Sequence, residues 1–145
     1  MRGSGYDIAC AQSEGPIIYQ KNTTGPKWAP TAFDPSFKDN LWFVYLGHKQ
    51  NSRAAIAKYR ESKSKPEQIS RITELTRLMA QAQTLQEFQA AVIEHEALLS
   101  ERLGQKTVKE EKFSDFNGVM KSLGAWGGDF ILVSSEMKQQ EVKDY

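Results

Sequence analysis

The same four-residue helix-start signal occurs three times in the middle of this chain. Ser64-Lys65-Pro66-Glu67, Thr84-Leu85-Gln86-Glu87 and Thr107-Val108-Lys109-Glu110 each set a hydroxyl three positions before a carboxylate. In such a box the hydroxyl accepts from a backbone N–H of the first turn, and the carboxylate accepts from the N-cap N–H. Two donors that a helix start leaves open are thereby satisfied. The middle of the chain is therefore expected to be helical, and any sheet must be assembled from the segments on either side. Ile69, Ile72, Leu75 and Met79 form an apolar stripe after the first box; Leu85, Phe88, Val92, Leu99 and Leu103 form one after the second. Gly104 is a plausible stop for that second helix. The third is expected from Val108 to about Phe116, closing near Asn117-Gly118.

Strands are expected at both ends. Pro16 to Gln20 reads as one, followed by a turn at Asn22-Thr23-Thr24-Gly25-Pro26. A second short strand is expected over Trp28 to Phe33, with Pro30 keeping it at an edge. Leu41-Trp42-Phe43-Val44-Tyr45-Leu46 is aromatic, β-branched and continuously apolar, which predicts a central strand. A helix over about Arg53 to Arg60 follows it. Val119 to Leu123 and Phe130 to Val133 are expected to pair through a glycine-rich turn, and Glu136 to Tyr145 has helical character. Strands, then helices, then a strand pair predict an α+β fold. One antiparallel sheet with the helices on one face is the expected arrangement.

Composition narrows the functional classes. With 145 residues, 39% apolar and 26% charged, the chain suits one soluble globular domain. Its net charge of +1 supplies no field for a polyanion, so nucleic acid is not an expected partner. The longest apolar runs, such as Leu41 to Leu46, are too short to cross a bilayer, so no membrane partner is expected. A single cysteine, Cys10, allows no internal disulfide and points to a reducing, cytoplasmic setting.

Two glycine-rich loops are the candidate seats of chemistry. Gly3-Ser4-Gly5-Tyr6-Asp7 precedes a short expected helix, which sets Asp7 near a positive dipole end. Gly124-Ala125-Trp126-Gly127-Gly128-Asp129 lies between two strands. The stretch Gly3-Ser4-Gly5-Tyr6-Asp7-Ile8-Ala9 resembles the segment of GHMP kinases that supplies the catalytic aspartate. Lys121-Ser122-Leu123-Gly124-Ala125-Trp126-Gly127-Gly128 resembles the glycine-rich third motif of the same enzymes, with Trp126 and Asp129 standing where glycine is usual. The nearest subgroup carries the Gly-Tyr-Asp-Ile-Ala sequence, here residues 5–9. The resemblance covers only the C-terminal half of such a kinase. The Pro-x-x-x-Gly-Leu-Gly-Ser-Ser-Ala loop around the ATP phosphates is not in these residues, and a fragment lacking that half is expected.

The resemblance implies a ferredoxin-like domain of an ATP- and magnesium-dependent (Mg2+) small-molecule kinase. A mevalonate-pathway intermediate is the leading acceptor. Asp7 would accept or orient the proton of the attacking hydroxyl; its bland alternative is a helix cap. Ser4, Gly5, Gly124, Ala125, Gly127 and Gly128 would approach substrate and phosphates, and Lys121 would neutralise charge or be merely solvated. The two loops are expected at one end of the sheet, with Asp7 facing the second. Lys49, Ser52 and Arg53 offer a cationic helix start for an acceptor anion, or an ordinary cap with two solvated cations. His95, on an apolar stripe, reads as a hydrogen-bonded, partly buried histidine, and His48 borders the Lys49 segment. With two histidines and one cysteine, no transition-metal site is expected. The partner is a small-molecule substrate, with a homodimer left open. The alternative function is a non-catalytic α+β domain that binds a ligand or a protein.

Overall fold

A computed structural model describes residues 5–22, 24–47, 65–124, 126 and 129–145. The helix expected over Arg53 to Arg60 lies outside them, as do Ser4, His48, Lys49, Ser52, Arg53, Ser64, Ala125, Gly127 and Gly128. The architecture is α+β, as expected. Where one domain is expected, contacts cluster into two compact units, Met1–Asp34 and Pro35–Tyr145.

The first unit holds helix α1 (Tyr6–Ala11) and a hairpin of β1 (Ile17–Asn22) and β2 (Gly25–Pro30). Asn22 Oδ1 accepts from Thr24 N at 3.2 Å and from its hydroxyl at 2.8 Å. This side-chain turn reverses the chain early, and Gly25 supplies the positive φ, +116°, that starts the return. The second strand therefore begins three residues before the expected Trp28. The hairpin is its own two-stranded sheet, so Ile17 to Gln20 does not join the strands of the second unit in one sheet.

The second unit opens with a single 3-10 turn, Lys38–Asn40, which feeds β3 (Leu41–Tyr45). Helices α2 (Pro66–Gln81), α3 (Leu85–Leu103) and α4 (Val108–Lys112) follow, then β4 (Val119–Ser122), β5 (Phe130–Ser134) and α5 (Gln139–Asp144). The sheet is antiparallel in the order β3-β5-β4. The central strand is therefore β5, with Ile131 and Val133 buried, and the expected centre, β3, is at an edge. Its continuous apolar run is two-sided for a different reason. Trp42 and Val44 pack against the core, whereas Phe43 is 75% exposed and Tyr45 is 58% exposed.

Two of the three helix-start boxes form as written. Thr84 with Glu87 and Thr107 with Glu110 make reciprocal capping boxes. At α2 the N-cap is Lys65, with no side-chain cap and Pro66 in the first turn. Proline's preset φ makes a helix start without a hydroxyl. Gly104, at φ +57°, caps α3 as expected. Helix α4 stops at Lys112 rather than near Phe116, because Phe113 leaves helical φ/ψ and Phe116 turns into the core. The α2 stripe buries Leu75 and Met79 but leaves Ile69 exposed. It packs on α3, and Arg71 forks onto Glu94 across the pair with two bonds of 2.6 Å.

Register explains how the sheet is clothed. Trp42, Val133 and Met120 lie side by side across the three strands and so share a face. Met120, Ile131 and Val133 form the core with Val108 of α4 and Phe116, and Val142 of α5 packs against it. Lys121, next to Met120, points the other way and meets α3. Gly118 sits where backbone and core come closest. A Cβ there would lie 2.5 Å from a Phe116 ring carbon, 2.7 Å from the Ser134 carbonyl oxygen and 2.9 Å from Ser135 Cβ. Gly118→Ala should therefore cost about 1–3 kcal/mol by overpacking, read as a lowered urea midpoint at unchanged m-value; an unshifted midpoint would show that this strand entry has slack.

Candidate functional site

Where β4 ends, four residues converge on one carboxylate. Glu96 lies on α3, is 3% exposed, and sits four residues after Val92, on the buried stripe. Its Oε2 accepts from Ser122 N at 3.0 Å and from the Trp126 indole Nε1 at 3.1 Å. Its Oε1 faces Lys121 Nζ at 3.3 Å. The same ammonium is 3.3 Å from His95 Nδ1, which itself lies 3.7 Å from Glu96 Oε1. Ser122 N–H has its direction by strand alternation. Leu123 N bonds to Phe130 O inside the sheet, so the preceding N–H points outward from β4 toward α3.

Burial pushes the Glu96 carboxyl up. The contacts of His95, Lys121, Ser122 and Trp126 outweigh that and hold it below its ordinary value of 4.5. The group is a buried, ionised carboxylate with its lone pairs engaged. Such a group accepts hydrogen bonds; it is not placed to take a proton from a substrate.

Trp126 completes the cluster. It is buried, and its φ is +27°, the one positive φ of a non-glycine residue among the described residues. A left-handed backbone costs a side-chain-bearing residue about 1–2 kcal/mol. An N–H bond to a charged acceptor returns about 1.5–3 kcal/mol, and burial of the indole adds to it. Gly124, at φ +64°, also runs left-handed, at no cost to glycine.

The residues singled out in the sequence fall into three groups. Gly5 and Asp7 belong to the first unit. Gly5 caps α1 at φ +80°, where a Cβ would lie 3.6 Å from Tyr19 Oη, and Asp7 is exposed in the first turn. Lys121 and Gly124 belong to the second unit, with Lys121 turned onto Glu96. Ser4, Lys49, Ser52, Arg53, Ala125, Gly127 and Gly128 lie outside the described residues. His95 is buried and in contact with Lys121, as its stripe position implied. Glu96 escaped sequence reasoning, although it carried a signal. A carboxylate on an apolar stripe is either exposed or held by donors. Among the described residues no group of three or more His, Cys, Asp or Glu is placed to hold a metal ion, and no helix is long and apolar enough to cross a membrane.

Comparison with protein-family models, with curated proteins and with solved structures finds no match for this chain.

Because the folded carboxyl of Glu96 is held low, its contribution to stability is present above pH 4.5 and is lost as pH falls through the folded value. Glu96→Gln keeps the shape but removes the charge and turns one of the two acceptor oxygens into a donor facing other donors. At pH 7 it should cost about 1–3 kcal/mol in urea unfolding. The gap between wild type and variant should narrow on acidification below pH 4.5. A gap constant down to pH 3 would mean that Glu96 is not ionised in the fold.

Proposed function

We propose that this chain is the C-terminal part of an ATP-dependent small-molecule kinase of the GHMP type. The intact enzyme transfers the γ-phosphoryl group of ATP to a hydroxyl or phosphate of a small metabolite, in a cytoplasmic setting, and a mevalonate-pathway intermediate is the favoured acceptor. The observation that carries the reading is the state of Asp7. The cap of α1 is Gly5, and the Asp7 side chain, exposed in the first turn, makes no hydrogen bond or ion pair among the described residues. A carboxylate used only as a helix cap would accept a backbone N–H. Asp7 instead keeps its oxygens open to solvent, which is compatible with orienting an attacking hydroxyl. Supporting it, the segment that resembles the third motif connects two paired strands, as a phosphate-approaching turn needs.

The described residues do not by themselves make a seat for ATP and magnesium. Lys121 faces Glu96 instead of open solvent, and no cluster of metal-ligating side chains is present among the described residues. The reading therefore assigns nucleotide binding to an upstream half that carries the phosphate loop, and gives this chain the aspartate and the second glycine turn. An alternative, a non-catalytic domain that binds a protein or ligand, draws on the exposed aromatic side chains Phe43, Tyr45 and Phe130 of the sheet.

The chain alone should release no ADP from ATP and magnesium in response to small alcohols or phosphomonoesters. Joined to an upstream half with the phosphate loop it should turn over. Asp7→Asn should then lower kcat by about 10²-fold or more while KM moves much less. Near-normal kcat in that variant would remove Asp7 from the chemistry, and a joined chain that fails to turn over would leave the binding-domain reading standing.

A further inference from the structure

We infer that Glu96 is a positioning residue for Trp126, between β4 and β5, holding its indole against the end of β4. One oxygen, Oε2, accepts from two donors four residues apart: Ser122 N–H at the end of the strand and the Trp126 indole inside the turn. The spacing between strand end and turn is thus set by a single atom on a neighbouring helix.

That atom is well anchored. Helix α3 is closed at both ends by its capping box and Gly104. Gln89 Nε2 donates to Ser134 O at 3.1 Å, which ties the same helix to β5. Lys121 compensates the carboxylate charge from the strand itself. Trp126, held at its indole, keeps a backbone conformation that its residue type disfavours. In a segment otherwise built of glycine and alanine, the indole is the long side chain by which another element reaches the turn. The identity of the turn's ligand rests on the kinase reading above; the control of the turn by Glu96 does not.

The test uses the chain as it stands, with 15N-resolved spectra of its three tryptophan indoles and of the amides of Ser122, Leu123, Gly124, Trp126 and Asp129. Wild type should show a Trp126 indole proton displaced downfield of those of Trp28 and Trp42. In Glu96→Leu, which removes both acceptor oxygens, that resonance should move back, and hydrogen exchange at Ser122 should speed up about tenfold or more. Trp126→Phe keeps a ring in the pocket and removes the donor. It should displace the Leu123, Gly124 and Asp129 amides while Ser122 stays protected, which keeps the inference testable if Glu96→Leu unfolds. Turn amides at wild-type positions in a folded variant would overturn the positioning role, whatever the kinetics. The same variants are then assayed in the chain joined to its upstream half. A raised KM for a phosphate-bearing substrate, with kcat less affected, supports the role in the kinase. Displaced turn amides with unchanged kinetics would overturn the kinase reading of the turn and leave the positioning role in place.

Discussion

A buried carboxylate oxygen joins the longest of the described helices to the edge of the three-stranded sheet. Taking Glu96 out of water costs several kcal/mol, and the cost is met because a strand N–H, an indole N–H and an ammonium all point at it. The arrangement satisfies Ser122 N–H, which an edge strand would otherwise leave to solvent. It lends Lys121 a partner in a half-buried place and gives Trp126 a reason to sit in a left-handed backbone. Without the carboxylate, three donors would be left facing one another. The docking of α3, the end of β4 and the place of Trp126 therefore depend on one another.

The rest of the second unit follows from what this dock leaves over. With α3 on the Lys121 side of β4, the Met120 side is covered by Val108, Phe116 and Val142. The strand between, β5, has neighbours on both edges and is the most deeply buried. Gly118 admits the chain into β4 past Phe116 and Ser134 where a methyl group would not fit. Phe113 and Phe116 leave the line of α4 to reach that core, which is why the helix is only five residues long.

The residues singled out for function divide by how local their structural signal is. The place of Asp7 in the first turn of a helix was legible because glycine beside a carboxylate is a pattern within one turn, and Gly5 adopts the positive φ its type allows. The pairing of the strands on either side of the second glycine-rich segment was legible for a similar reason. Lys121 itself was not, since solvent, phosphate and a buried carboxylate are equally good partners for an isolated lysine on a strand. Glu96 was missed because it reads as one charged residue among several in Glu94-His95-Glu96; its donors come from residues 25 to 30 positions away.

By itself the sequence determined the α+β class, two of the three helix caps, the Gly104 stop, the hairpin partners around the second glycine turn and the burial of His95. Each of these rests on interactions within a few residues, or on a periodicity that names a face. Only the tertiary structure decided that β5 and not β3 is central, that the first hairpin forms its own sheet, and that Glu96 is ionised against Ser122, Lys121 and Trp126. An apolar run records that a strand is covered, but not by what; strand order and the charge of a buried carboxylate depend on groups distant in the chain, which no local pattern encodes.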